Sequence, residues 1–315
     1  MNDTPAFLDS VRPPVPDLVV PGGITPFYLP GRPVRGRLVR LGRLADALLT
    51  RHDNHPAVTR LTGEALALAA ALATALKFRG SFSLQAKGDG PVSMLLADCT
   101  ETGAVRGYAQ CRPERLAALL ETNPAPSAAE LLGTGYLAFT VDQGPETERH
   151  QGIVTISGET LAEMALHYFA TSEQLRCTIR LACAQTGHGW RAGALIVERI
   201  ATEGGIDAAE DPAHAEDWNT ASILAATVSD AELLDDMLAP EDLLYRLFHD
   251  EGVAADLPRV LAYGCRCSRQ RLSGILESFP AADLDHMAVD GEIVMTCEFC
   301  NVDFRFSRAE MRGLE

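Results

Sequence analysis

Hydrophobic positions change period several times along this chain, and each change marks an element. From Val34 the pattern becomes regular. Leu38–Leu49 carries helical periodicity, and Thr62–Leu76 reads as a second, alanine-rich helix that Gly80 stops. Ser81–Ala86 (SFSLQA) alternates polar and apolar, KGDGP at 87–91 turns the chain, and Val92–Ala97 runs back as a partner strand. The GDG there lacks the further glycine and the following helix of a phosphate loop, so it reads as a hairpin turn. Tyr136–Val141, Gly152–Ile156, 177–183 and 192–198 are further strands. Thr160 and Glu163 form a capping box opening a helix over Leu161–Ala170. The fold class is therefore α+β, with a mostly antiparallel sheet in a core domain over 34–200. Residues 1–33, broken by proline and glycine (VRPPVPDLVVPGGITPFYLPGRP), predict an irregular arm.

Residues 201–262 differ in kind. After a loose stretch come three short amphipathic helices. Trp218, Ile223, Leu224 and Val228 mark the first, and Ser229 and Glu232 cap the second. The third opens on Pro240. None is long enough to stand alone in water. Their apolar stripes, Leu233, Leu234, Leu244, Leu247 and Phe248 among them, need a surface to dock on. Two readings stay open: a small helical subdomain, or a marginally stable linker that lifts off its support.

Charge sharpens this division. The chain of 315 residues has a net charge of −16. Residues 1–200 hold 19 acidic and 19 basic side chains, whereas 201–262 hold 15 acidic against only Arg246 and Arg259. A nucleic-acid binder is expected to show a basic face instead. The longest apolar run, Ala65–Leu76, has twelve residues against the roughly twenty of a membrane span, so no membrane partner is expected. The first twenty residues have no basic start and no unbroken apolar stretch, which leads to the expectation of a cytoplasmic protein with reduced cysteines.

Eight cysteines are present. Cys177 and Cys183 share one face of a strand about 20 Å apart, too far for a disulfide. Cys99 and Cys111 also sit at strand-like positions, and all four read as small core hydrophobes without an assigned role. The other four differ. Cys265-Arg-Cys267 is followed by Cys297-Glu-Phe-Cys300. Two close pairs separated by such a loop suit one tetrahedral zinc per chain. An extended C-x-C points both sulfurs to one side, and C-x-x-C turns back as a knuckle. The segment from Tyr263 to Phe306 has only a thin core of its own, Leu272, Ile275, Leu276 and Phe279 on a helix and Val302, Phe304 and Phe306 on a strand, so a metal is needed to fold it. A four-cysteine zinc is structural, with no open position for catalysis. Its thiolates remain oxidisable, and sulfurs adjacent in sequence predict the disulfides Cys265–Cys267 and Cys297–Cys300, which remove the metal's ligands.

At this point the chain resembles the thirty-three-kilodalton heat-shock protein family, the redox-regulated holdase chaperones. The likeness runs from about Val34 to Ser307 and includes LKFRGSFSLQAKGDGP at 76–91, RGYAQ at 106–110, LLGTGYL at 131–137, HQGIV at 150–154, YFATSEQL at 168–175 and LLYRLFHDEGV at 243–253. The C-x-C…C-x-x-C set is its most specific element. The resemblance implies an α/β chaperone core, a metastable linker over 201–262 and a zinc-binding switch domain over 263–315. It also implies ATP-independent binding of unfolding client proteins, turned on by oxidants, with Cys265, Cys267, Cys297 and Cys300 as ligands and switch thiols. Exposed apolar surface after oxidation then makes a homodimer the expected assembly. Asn301, following the knuckle, stands where such turns often prefer glycine.

Two alternatives belong to other classes. A C-x-x-C thiol oxidoreductase is disfavoured because such a motif usually opens a helix, whereas Cys297 lies between the strand-like EIVMT and VDFRF. A zinc-ribbon nucleic-acid binder is disfavoured by the net −3 of residues 263–315. His52 and His55 lack a third ligand, His249 and His286 would compete with a filled four-sulfur shell, and no Ser/His/Asp set is visible. No catalytic residue is assigned, and the protein is not expected to be an enzyme.

Overall fold

The computed structural model describes residues 16–73, 80–144, 147, 149–200 and 212–312. The end of the alanine-rich helix at 74–76, the loose stretch 201–211 and the first fifteen residues of the proline-rich segment lie outside the described residues. The chain divides into two compact units, a large one spanning Leu18–Tyr263 and a small one that begins at Gly264.

The large unit is built in chain order from β1 (Val19–Tyr28), β2 (Val34–Arg40), α1 (Arg43–Leu49), α2 (Pro56–Ala73), β3 (Ser81–Gly88), β4 (Val92–Thr100) and β5 (Ala104–Cys111). There follow α3 (Pro113–Thr122), α4 (Ala128–Leu132), β6 (Gly135–Asp142), β7 (His150–Thr155), α5 (Leu161–Thr171), β8 (Cys177–Thr186) and β9 (Gly189–Arg199). Three acidic helices come next: α6 (Pro212–Ala226), α7 (Asp230–Leu234) and α8 (Pro240–Phe248). The chain then re-enters the sheet as β10 (Ala254–Ala255) and β11 (Arg259–Tyr263). Strand order is β7-β6-β3-β4-β5-β11-β1-β2-β9-β8, with β10 beside β1. Every pairing is antiparallel except that of β11 with β5, where Ala262 opposes Ala104 and Tyr263 opposes Val105.

Period-two patterning gives this sheet two apolar faces. On β9, Ala194 and Ile196 point to one side with Ile24 and Val39, under α1, α2 and α5. Leu195 and Val197 point to the other with Phe27, Leu29, Val34 and Leu38, under α6, α7 and α8. α2 fills the first side because its alanines allow close approach; every residue from Ala65 to Ala73 is buried. Gly36 is required by the second: a Cβ there would fall 2.3 Å from the Phe27 ring and 2.6 Å from the Ile196 carbonyl oxygen.

Four expectations need correction. The irregular arm over 1–33 contains β1, a strand in the interior of the sheet. Its PGG and TP sequences read as strand breakers, but the register shifts between Val20 and Ile24, and this bulge absorbs the PGG. Pro26, which has no N–H to give, still accepts from the Asp256 N–H at 2.8 Å. Leu38–Leu49 is not one helix; β2 ends at Arg40 and Gly42, at φ 51°, turns the chain into α1. Apolar residues on both faces of β2 imitate helical periodicity. The core is not confined to 34–200, nor is 201–262 helical to its end, because β11 belongs to the sheet. Finally, the strand-like position of Cys111 belongs to a full strand, β5, with apolar Val105, Tyr108 and Ala109, and α3 and α4 are helices that the pattern does not announce.

The small unit contains α9 (Arg269–Leu276), α10 (Ala281–Met287), β12 (Glu292–Thr296), β13 (Asp303–Ser307) and α11 (Arg308–Arg312). The Ser268 hydroxyl caps α9 by accepting from the Arg271 N–H at 3.1 Å. β12 and β13 pair antiparallel from Glu292↔Ser307 to Thr296↔Asp303. Among the described residues the buried apolar cluster is six side chains: Leu276, Leu284, Ile293, Phe304, Phe306 and Met311. Arg269 lies over the Phe306 ring at 4.5 Å, and Arg308 joins Asp285 at 2.7 Å. Ile275 and Phe279, expected in this core, are instead exposed.

Candidate metal centre

Cys265 and Cys267 lie in the extended segment before α9, and Cys297 and Cys300 in the turn joining β12 to β13. The Asn301 N–H donates to the Cys297 carbonyl at 2.8 Å, and the Cys297 N–H donates to the Val302 carbonyl at 3.0 Å. Asn301 closes this knuckle at φ 52°, the left-handed conformation that asparagine tolerates better than most residues. The motif therefore sits in a strand–turn–strand and not at the start of a helix.

All four sulfurs converge within 4.8 Å of one another. Cys265 Sγ is 3.3 Å from Cys267 Sγ and 3.7 Å from Cys297 Sγ, and Cys267 Sγ is 3.5 Å from Cys300 Sγ. These separations far exceed the roughly 2.05 Å of a disulfide. They approach the sulfur–sulfur edge of about 3.8 Å that a tetrahedron with metal–sulfur bonds of about 2.3 Å requires. Cys265 and Cys300 are buried, and Cys267 and Cys297 half-buried. Sulfurs from two separate loops, in contact and without a bond, fit a thiophilic ion of zinc's size.

Electrostatics divides the four. Hydrogen bonding with Cys267 lowers the Cys265 thiol to about 7, and hydrogen bonding with Cys265 holds Cys297 far below the ordinary thiol range. Cys267 and Cys300 are raised, each chiefly by hydrogen bonding with Cys265. The backbone N–H groups of Cys267 and Cys300 further favour thiolates at Cys265 and Cys297. The other four thiols lie in the large unit. Cys99 and Cys183 are buried in the sheet core beside half-buried Cys111 and Cys177. Burial pushes Cys177 up to about 12 and raises Cys111 and Cys183.

A second arrangement involves the acidic helices. Leu233, Leu244, Leu247 and Phe248 are buried on the second face of the sheet, and Leu234 packs at its edge. Phe248 stacks on Phe27 with centroids 5.4 Å apart. The Ser229–Glu232 capping box opens α7 as expected. Trp218, Leu224 and Val228 join the same cluster, while Ile223 is exposed.

Sequence reasoning missed the arginines that hold these helices. The Arg40 guanidinium donates to the Glu232 carbonyl at 2.7 Å and to the Leu238 carbonyl. Arg191 meets Asp236 at 2.5 Å, and Arg180 faces Asp230 at 3.9 Å. Arg32 meets Asp217 at 3.0 Å and also Glu251. The imbalance of 15 acids to two bases in 201–262 was the available signal, since such a segment needs cations from elsewhere. Among the described residues no helix is long and apolar enough to cross a membrane.

Comparison with known proteins follows the same outline. The family model described as Hsp33 protein matches residues 23–307, so the match begins inside β1. A 33 kDa chaperonin of Caulobacter vibrioides is 41% identical over 283 residues, covering 88% of this chain and 92% of the relative. One from Pseudomonas aeruginosa is 35% identical over 284 residues, covering 89% and 90%. The crystal structure of the Thermotoga maritima heat shock protein 33 homologue superposes with a TM-score of 0.74 at 23% identity, over 93% of this chain and 97% of that one.

Proposed function

The chain belongs to the Hsp33 family and is a chaperone, and on that premise we propose that it is an ATP-independent holdase for unfolding proteins, switched on by oxidation. The observation that carries the switch is the meeting of four thiols from two loops over a core of six side chains. Cys265, Cys267, Cys297 and Cys300 would hold zinc in the reduced, cytoplasmic protein. Bound zinc supplies folding free energy to a unit too small to be stable on hydrophobic burial alone.

Oxidation acts on the sulfurs. Each pair of zinc-bound thiolates gives two electrons to a two-electron oxidant such as peroxide, whose O–O bond breaks and takes two protons from solvent to leave as two waters while one S–S bond forms. The pairs are Cys265–Cys267 and Cys297–Cys300. All four sulfurs are mutually close, so distance alone does not select the partners. Chain separation does once the unit loosens, because a cross-pair bridge must then keep a loop of about thirty residues closed at an entropy cost that a neighbouring pair avoids. Disulfide sulfurs no longer serve as ligands, and the small unit loosens.

Between the acidic helices and the small unit lie β10 and β11. Cys265 follows β11 by two residues, whereas α8 ends at Phe248. The disturbance therefore reaches the helices through β10 and β11, the latter tied to β5 at only two residue pairs. Once α6–α8 lift, Phe27, Leu29, Val34, Leu38, Leu195 and Val197 become available to clients. The same exposed surface supports self-association into a dimer. No catalytic group takes part.

Zinc content and suppression of client aggregation, measured on one sample before and after peroxide, test this reading. Zinc release should accompany the gain in suppression, and thiol–disulfide turnover of a small substrate should be absent. Suppression at full strength in the reduced, zinc-loaded protein would refute it.

A further inference from the structure

The surface beneath α6–α8 has a composition that a general apolar patch does not need. Its floor is Phe27, Leu29, Val34, Leu38, Leu195 and Val197, all buried in the docked state. Around that floor stand four arginines from different elements: Arg32 before β2, Arg40 at the end of β2, Arg180 on β8 and Arg191 on β9. Each faces the acidic helices. Arg191 and Arg32 pair with carboxylates, and Arg180 faces Asp230 at the first turn of α7.

Arg40 is the most telling. Its guanidinium reaches the backbone carbonyls of Glu232, on α7, and Leu238, just before α8. Burial lowers its pKa, and Asp235, Asp236 and Glu241 raise it back. It recognises one carbonyl in the last turn of α7 and one in the bend before α8, with the negative field around them, not one side chain. Departure of the helices leaves a partly desolvated cation beside an apolar floor. Arg191 stays in place, because it also donates to the His188 and Trp190 carbonyls at 2.9 and 3.0 Å.

We infer that this arginine-rimmed face selects acidic amphipathic segments among unfolding clients, and that α7 and α8 are the built-in competitor occupying it. The inference rests on the proposed displacement of the helices and adds to it the chemistry of the partner. An occupant must offer an apolar stripe to the floor and carboxylates or backbone carbonyls beside acidic side chains to the rim. A basic or neutral segment of equal hydrophobicity covers the floor but leaves Arg40 and Arg191 without counter-charge, which is costly in a partly dehydrated site. Charge complementarity of this kind discriminates between partners of equal apolar area.

The test uses the full chain and two fluorescein-labelled peptides. One reproduces Ser229–His249. The other replaces its six acids, Asp230, Glu232, Asp235, Asp236, Glu241 and Asp242, by Asn or Gln. Fluorescence anisotropy is followed on peroxide-oxidised protein between 50 and 500 mM salt. The acidic peptide should bind about tenfold tighter at low salt, and the preference should shrink as salt screens the rim. It should also fall in Arg40→Gln/Arg191→Gln protein, whose apolar floor is unchanged. Equal binding of the two peptides overturns the inference, as does a preference that survives both salt and the arginine substitutions. The wild-type comparison needs no variant to fold. Oxidised protein that suppresses aggregation yet shows no preference defeats this inference alone, whereas binding of neither peptide and no suppression defeats the switch as well.

Discussion

Replacing Phe248 by alanine tests the docking of the acidic helices most directly. The side chain is fully buried, and its ring stacks on Phe27 at 5.4 Å. Removing a buried phenylalanine ring costs about 3–5 kcal/mol, of which about 1 kcal/mol belongs to the ring pair. α8 has nine residues and α7 five, neither stable alone in water. The loss therefore falls on docking, while β3 and β4, far along the sheet, keep their own core. A weakening of 3–5 kcal/mol corresponds to roughly a hundredfold to a few thousandfold faster amide exchange at Leu247 and Phe248. Native-state hydrogen exchange on reduced, metal-loaded Phe248→Ala protein measures this, with Leu84 and Leu95 as core references. Light scattering of a heat-unfolded client should show suppression without oxidant. Unchanged exchange in α8 would refute the docking energetics. Equal acceleration at Leu84 and Leu95 would also refute it, because helices and sheet would then open as one unit.

Three further outcomes are expected. Cys265→Ser/Cys297→Ser protein should lose bound zinc, and residues 264–312 should lose dispersed amide resonances while the large unit keeps its melting transition; full zinc content measured by mass spectrometry would contradict the four-sulfur site. Peptide mapping after peroxide should find Cys265–Cys267 and Cys297–Cys300 bridges, with Cys99, Cys111, Cys177 and Cys183 unmodified, since burial raises the thiol pKa of the last three. Glu64, on α2 beside Arg60, Cys183 and Asp230, is raised to about 7, chiefly by burial. Because the folded state then binds the extra proton, its contribution is fully present below about pH 4.5 and is lost as pH rises to about 7. Glu64→Gln should flatten that part of the stability–pH curve and raise stability at pH 8 by about 1–3 kcal/mol, read from denaturant melts.

The four-sulfur cluster was legible because its signal is local. Cys265, Cys267, Cys297 and Cys300 announce themselves by spacing, and the knuckle conformation of Asn301 was anticipated from its place after Cys300. The helices α7 and α8 were legible from a capping box and a proline start. Long-range pairing was not. β1 is disguised by Pro21, Gly22, Gly23 and Pro26, residues that weaken a strand locally but are absorbed by a bulge and a neighbour's N–H. β11 has only five residues, Arg259–Tyr263, and its place between β5 and β1 is set by partners more than 150 residues away in one direction. The arginine contacts of α6–α8 were hidden for the same reason: charge balance showed that cations were needed but not which ones.

The insertion of β11 between β5 and β1 has a kinetic consequence. The segment from 200 to 253 leaves the sheet at β9 and returns to it at β10, so both of its ends are anchored. Lifted helices are then a flap on a closed loop and stay at an effective concentration on the order of millimolar near their seat. Any client held there is in continuous competition with an intramolecular rival whose return has little translational entropy left to lose. Release need not depend on a nucleotide cycle. Under the proposed switch, reducing the disulfides would let the flap re-seat and compete with what it had made room for.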